Sequence, residues 1–372
     1  MRNIHTNLDV LGRALLVNSK GRFVKNKYII IESDDWGSIR TTKKENFKRF
    51  SRISYGNPYL NHDTIASVDD LNALFDTIGL FTDSVGNHPV FTFNTVVGNP
   101  NFTKIADSGF EKYFYEPFTD TLESYYPSQR VFDLWSAGIE ADFICPQFHG
   151  REHLNVPVWM NALREKNPEL IELFNLGSWS TRSGKVNGSL VKLQAALDYE
   201  NDGLLEYQKA AVKEGLSLFK QIFGFKAESM IANNYTWSPD LHKTINQNGV
   251  NLMQSMKYQV LPYSKYGKRK LIRRRFGENI DGLIFNVRNC IFEPSLFPES
   301  YDSISNCMKQ IDVAFRLKKP AVISSHRLNY IGIHNENNRA RSLKSLKNLL
   351  SLCLKRWPDV RFISSNKLLD IL

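Results

Sequence analysis

Three short apolar runs in this chain end in side chains that an apolar interior does not tolerate alone. Tyr28-Ile29-Ile30-Ile31 leads to Asp34-Asp35, Phe143-Ile144-Cys145 to His149 and His153, and Ala321-Val322-Ile323 to His326. A buried strand that finishes on a carboxylate or an imidazole is costly unless that group finds a partner. A divalent metal ion is the natural shared partner, so the pattern points to metal-assisted hydrolysis.

Between these runs, strand-like and helix-like periodicities alternate. Strands are expected at 28–33, 90–97, 142–146, 229–232, 252–256, 283–287 and 321–325. Helices are expected at 68–81, 131–141, 156–174, 203–223, 239–247, 304–317 and 339–357, while 360–364 and 367–372 close the chain. The helix at 239 has Ser238 as N-cap and Pro239 at its first position, a favourable start. Such alternation argues for an α/β fold, a mainly parallel sheet or barrel with outer helices. Residues 1–372 read as one catalytic domain, with a helical extension at 1–26. Glycine, serine and asparagine gather between 175 and 202, which reads as a loop or insertion.

Composition narrows the class. The 372 residues are 42% hydrophobic and 23% charged, ordinary for a globular protein. No apolar run approaches the ~18 residues of a membrane span. The patch at Leu11, Ala14, Leu15, Leu16 and Val17 is interrupted by Arg13 and followed by no small-residue cleavage site. It reads as an amphipathic helix, so a cytoplasmic location is expected. Cys145, Cys290, Cys307 and Cys353 are scattered, consistent with reduced thiols.

The net charge of +10 is concentrated at 265–275, which holds Lys265, Lys268, Arg269, Lys270, Arg273, Arg274 and Arg275. Such a run suits a phosphorylated substrate or an anionic lipid surface, which would place the protein at the membrane periphery. It equally suits a solvated loop with a charged edge strand. With few interleaved aromatics and no nucleic-acid module around it, nucleic acid is not the expected partner.

The motifs give the chemistry. Adjacent strand residues point to opposite faces, so a break, expected at Trp36-Gly37, must aim both Asp34 and Asp35 at one site. One carboxylate can then bind an ion while the other accepts a proton from water. In His149-Gly-Arg-Glu-His153, a spacing of four places two imidazoles on one face of a helical turn, as a zinc site needs. The same residues fit the His-x-x-Glu-His zinc-peptidase pattern, with Glu152 as base. That reading requires a sustained helix, which Gly150 and Pro157 oppose. His326, just past a strand, can donate a proton to a leaving group.

In this order the three segments resemble the polysaccharide deacetylase family. Glu32-Ser33-Asp34-Asp35-Trp36-Gly37 looks like a variant of its first motif, Thr-Phe-Asp-Asp-Gly. His149 and His153 match its His-x-x-x-His motif, and His326 its late strand-ending histidine. Trp357-Pro358-Asp359-Val360-Arg361-Phe362 is also similar to the end of many members. The resemblance implies a distorted (β/α)7 barrel, with Asp35, His149 and His153 as metal ligands, Asp34 as general base and His326 as general acid.

Two family motifs are missing. In place of Arg-x-Pro-Tyr, Lys226 stands where the arginine would be, followed by Asn233, Asn234, Tyr235 and Trp237. For the Asp-Trp motif the nearest segment is 288–293, where Arg288 would orient Asp34 and Glu293 would steady His326. An arginine–glutamate surface pair is the alternative. Trp36, Tyr235 and Trp237 offer faces for a sugar ring, and Asn94 and Asn233 offer amides for hydroxyls, or they serve core and turns.

The resulting expectation is a metal-dependent hydrolase that removes an N- or O-acetyl group from a sugar, on an oligosaccharide or a phosphate- or lipid-linked surface-polysaccharide precursor. Zn2+ is the default ion, and Ni2+, Co2+ or Fe2+ accept the same ligands. The alternatives are a hydrolase of a small non-sugar amide on the same fold, a zinc peptidase, and a degenerate glycan-binding protein.

Overall fold

A computed structural model describes residues 7–46, 48–49, 57–181, 186, 191–262 and 269–372. Its centre is a mainly parallel sheet, and the fold is mixed α/β. The strands that matter for the site are β1 (Tyr28–Trp36), β2 (Phe91–Thr95), β3 (Ile144–Phe148), β4 (Ser229–Ile231), β5 (Leu252–Ser255), β6 (Leu283–Val287), β7 (Cys290–Ile291) and β8 (Ala321–His326). Hydrogen bonding runs in the order β6-β5-β4-β3-β2-β1-β8-β7, every one of these pairs parallel. Residues 283–291 border both ends of that order. β6 pairs with β5, and β7 pairs with β8. Between them, Arg288 N–H donates to Ser255 O at 2.9 Å and Asn289 N–H to Val322 O at 3.1 Å.

Alternation along the strands separates two environments. Ile29 and Ile31 of β1 join Phe91, Phe93, Ile144 and Ile323 in the largest apolar cluster. That cluster includes residues of the helices Val68–Ile78, Val131–Glu140, Ser303–Arg316 and Glu336–Arg356. Ile30, Leu252 and Val322 belong to a separate cluster. Two residues further along the same strands, this second face turns polar: Glu32, Gln254 and Ser324 are all buried. Both faces of β1 are therefore covered, as its run of isoleucines requires.

Most expected elements are present, with shifted ends. The helix expected at 156–174 is instead two, Val156–Arg164 and Pro168–Asn175. Lys166 adopts φ 55°, and Asn167 caps a new start with Pro168 behind it, chemistry that reopens rather than continues a helix. Asn7–Asn18 is helical, as expected of the extension. The 175–202 segment has few regular elements, but it is tied down. Thr42 N–H donates to Gly177 O at 2.8 Å, and Ser178 Oγ to Arg40 O at 2.9 Å. Part of it, including Ser183, Gly184, Asn187 and Gly188, lies outside the described residues.

The basic run folds largely onto the protein itself. Leu271–Arg273 pairs antiparallel with Tyr258–Val260, and Arg273 Nη2 donates to Leu16 O at 2.9 Å. Arg274 is buried, stacks over Phe285 at 4.1 Å and donates to Gln259. Arg269 is paired with Asp198. Lys265 and Lys268 lie outside the described residues. Among the described residues no helix is long and apolar enough to cross a membrane.

Gly37 shows how tightly the end of β1 is packed. Its φ is +79°, and a Cβ there would stand 2.2 Å from the Val96 carbonyl oxygen. Gly37→Ala is expected to cost at least ~1–3 kcal/mol through backbone strain, read as a lowered thermal midpoint. A midpoint equal to that of the parent would show that this corner relaxes freely.

Candidate metal centre and cleft

The two carboxylates reach one site through a β-bulge. Ser33 pairs with Phe93 but Trp36 pairs with Thr95, so β1 carries an extra residue at Asp34-Asp35. Asp35 has φ 73°, a left-handed conformation that aspartate tolerates better than most residues. The break was expected at Trp36-Gly37. It lies one residue earlier, inside the strand, which continues to Trp36. A strand exit alone would have left the two side chains on opposite faces.

Asp35, His149 and His153 converge, with one ligand-type atom from each lying within 4.8 Å of the others. His149 Nε2 is 3.4 Å and His153 Nε2 3.1 Å from the same Asp35 Oδ1. The histidines do not share a helical turn, contrary to the expectation from their spacing. They stand on an irregular segment after β3, where Gly150 takes φ 111° and bends the chain out of helix. The same bend leaves Glu152 out of the cluster. Its carboxylate pairs with Arg151 and borders a different, smaller cavity. The peptidase arrangement is therefore not formed.

The donor set fits a divalent ion. His149 Nδ1 sits 2.9 Å from the Ile231 carbonyl, which can only accept, so Nδ1 carries a proton and Nε2 is the atom turned to the cluster. Asn233 donates to His149 O at 2.9 Å and fixes the backbone beneath that ring. His153 stacks on Trp179, ring centroids 6.4 Å apart at 18°. Burial pushes the His153 pKa down, which favours the neutral, ligating imidazole. Burial alone would raise the Asp35 pKa, but His153, His149 and Arg40 together hold it well below the usual carboxylate range. A buried carboxylate and two imidazoles form a donor set that suits Zn2+ and its borderline neighbours.

Asp34 is held differently. Arg288 grips it with two hydrogen bonds, Nη2 to Oδ1 at 2.6 Å and Nη1 to Oδ2 at 2.7 Å. Asn94 Nδ2 adds a third at 2.7 Å. Arg288 is itself buried and spends its Nε on Glu32 at 2.6 Å. Burial would raise the Asp34 pKa, yet the Arg288 charge lowers it to about 2. Arg288 is therefore a buried partner of Asp34 and Glu32 and not half of a surface pair.

His326 ends β8 directly opposite Asp34 in the β1–β8 register. Its Nδ1 lies 2.6 Å from Glu293 Oε1, while its Nε2 faces Asp34 Oδ2 at 3.9 Å. Glu293 is braced by Asn329, which donates to its other oxygen at 2.7 Å. Burial disfavours the imidazolium, but Glu293, with Asp34 and Asp35 behind it, lifts the His326 pKa to about 9.

These groups open into a cleft of about 340 Å³. Its walls include Asn234 and Tyr235, both named from the sequence, and also Arg40, Tyr59, Lys192 and Gln194, which the sequence did not single out. Arg40 donates to Asp35 Oδ2 at 3.1 Å and lies 5.2 Å from the Tyr59 ring and 5.3 Å from the Trp179 ring. Only proximity to the motif at 34–35 could have drawn attention to Arg40. Lys192 and Gln194 carry no signal in an irregular segment. Two expected sugar platforms are elsewhere. Trp36 is 1% exposed and stacks on Phe93 with centroids 3.5 Å apart. Trp237 is fully buried against Phe285. Asn94 and Asn233 are turned to Asp34 and the His149 backbone, to which their Nδ2 groups donate.

No family model matches the sequence, and no curated protein matches it. Solved structures with a similar course of chain include a 4-alpha-glucanotransferase from Thermococcus litoralis at 8% identity and TM-score 0.47, covering 94% of this chain and 41% of that one. A protein from Mycobacterium smegmatis provisionally assigned as a polysaccharide deacetylase matches at 8% identity and TM-score 0.46, covering 94% and 91%. An allantoinase matches at 9% identity and TM-score 0.44, covering 100% and 96%. The chain spans less than half the length of the glucanotransferase.

The donor set makes a direct prediction. Purified protein is expected to carry about one divalent ion per chain, and Asp35→Ala or His149→Ala to lose it by elemental analysis. Retention of a full complement in both variants would show that the ion sits elsewhere.

Proposed function

We propose that this chain is a metal-dependent hydrolase that removes an N- or O-acetyl group from a sugar, built on a distorted (β/α)7 barrel of the polysaccharide deacetylase type. The barrel reading is supported by residues 283–291, which pair with β5 through their first half and with β8 through their second. Counted as one bent strand, they would complete a ring of seven. The functional reading rests on one observation. A bulge turns two adjacent aspartates to one cleft, where Asp35 meets two histidines and Asp34 meets a third.

A divalent ion at Asp35, His149 and His153, with Zn2+ the expected choice, would polarise an acyl carbonyl and lower the pKa of a water. The protein's own groups are arranged for the proton transfers. Asp34 is ionised at neutral pH and fixed in place by Arg288 and Asn94, so it is positioned to accept a proton from that water. His326 is protonated at neutral pH and is positioned to give its proton to the departing amine or alcohol. Two groups pushed apart in pKa by their surroundings are the mark of an acid–base pair. Tyr235, Asn234 and Gln194 line the remaining wall and would contact the sugar.

Acetate release from a panel of N- and O-acetylated sugars, run beside linear and cyclic amides, tests the substrate class. Turnover of amides alone would move the reading to a small-amide hydrolase. Asp34→Asn and His326→Ala are each expected to keep the ion and to lower kcat by ~10²–10⁴-fold, the usual range for general acid–base groups. Either variant with parental kcat would remove that residue from the mechanism.

The pH profile follows from His326. Its proton is present below a pKa of about 9 and lost above it, so activity should fall as pH rises through that value. Glu293→Gln removes the charge that lifts the pKa and should move this alkaline limb to lower pH. An unmoved limb would mean that another group sets it.

A further inference from the structure

The cleft carries a charge that the proposed deacetylation does not use. Both of its carboxylates are already engaged with cations of the protein, Asp34 with Arg288 and Asp35 with Arg40. Lys192 also lines the cleft, is exposed, and has no carboxylate within ion-pair distance among the described residues.

The backbone that presents Lys192 is firmly built. Asn155 N–H donates to Leu193 O at 2.6 Å, and the Asn155 side chain donates to Ala195 O at 2.9 Å and Asp198 O at 2.7 Å. Ala195 N–H closes back on Lys192 O at 3.0 Å. Val191, Leu193 and Ala195 are buried, whereas the intervening Lys192 and Gln194 reach the cleft. A loop pinned in this way is a fixed wall. Of its two charged side chains, Asp198 is buried and paired with Arg269, and only Lys192 lines the cleft. A neutral sugar would leave that ammonium without a counter-charge, while an anionic substituent would supply one.

Resting on the sugar-deacetylase reading, we infer that the 191–198 wall selects an acetylated sugar bearing an anionic group, carboxylate or phosphate, with Lys192 as the specificity-determining residue. Gln194, two residues along the same wall, is placed to hydrogen-bond the same substituent or a neighbouring hydroxyl. Arg40 adds to the positive field but is committed to Asp35.

Equilibrium binding to the full-length protein as purified tests this without requiring turnover. The probes are N-acetylglucosamine, its 6-phosphate and N-acetylmuramic acid, measured by calorimetry. The anionic sugars should bind about five- to tenfold more tightly than the neutral one, the worth of a single partly exposed ion pair. That ratio should collapse in Lys192→Ala and invert in Lys192→Glu. Preference for the 6-phosphate alone or for the carboxylate alone identifies the anion. Equal binding of all three sugars, or a preference that both Lys192 variants retain, would overturn the inference. Failure of the protein to release acetate from any sugar, with the binding preference intact, would instead count against the deacetylase reading.

Discussion

The buried guanidinium of Arg288 is the interaction around which the site is organised. It stands between Glu32 and Asp34, two inward carboxylates separated by one residue on β1. Without it, both would be anions in an interior that strongly disfavours unpaired charge. Its effect differs between the two partners. Asp34 is drawn down to about 2, whereas burial still leaves the Glu32 pKa above its ordinary value. Glu32 draws on Asn286 and Ser365 as well, each within 2.7 Å. One arginine thus fixes the carboxylate that faces the cleft and anchors the polar face of the sheet behind it.

The Asp35, His149 and His153 cluster is supported by a second, separate layer. Arg40 braces Asp35, and Asp63 lies 3.5 Å from Arg40 while accepting a two-pronged pair from Arg327. Trp179 lies near both Arg40 and the His153 ring, and its indole N–H donates to Ile39 O at 2.7 Å. The segment that read as a loop or insertion therefore packs on His153 through Trp179 and lines the cleft through Lys192. Supporting groups of this kind orient ligands and tune an ion's affinity. They also explain why so much of the neighbourhood is polar yet buried.

The two segments that lack the motifs of the resembled family, 226–237 and 288–293, have defined places in the structure. An arginine oriented toward the first-motif aspartate is present, but it comes from residue 288, after β6, and not from the segment after β4. The segment after β4 supplies Asn233 beneath His149 and Tyr235 on the wall. Likewise His326 is steadied by Glu293 and not by an aspartate–tryptophan pair. Charges that meet at one cleft thus come from several strand ends, which a sheet of parallel strands with one common rim allows.

Much of this was legible in the sequence because it depends on local pattern. The isoleucine run of β1 marks a strand covered on both faces, and Asp34, Asp35, His149, His153 and His326 stand out because polar groups at the ends of such runs need partners. Arg288 and Glu293 came from the segment nearest to the resembled family's missing Asp-Trp motif. Other features depend on backbone geometry or on residues distant in sequence, and only the tertiary structure decided them. The bulge at Asp34-Asp35 is a one-residue shift against β2, invisible without the partner strand. Trp36 and Trp237 read equally well as sugar platforms or core until packing buried both. Arg40, Trp179 and Lys192 carry no motif, since their roles arise from contacts between segments about 140 to 150 residues apart. The sequence by itself determined which groups must be brought together. The structure determined how each is aimed and which neighbours pay its charge, because strand register, loop docking and desolvation are properties of the folded chain.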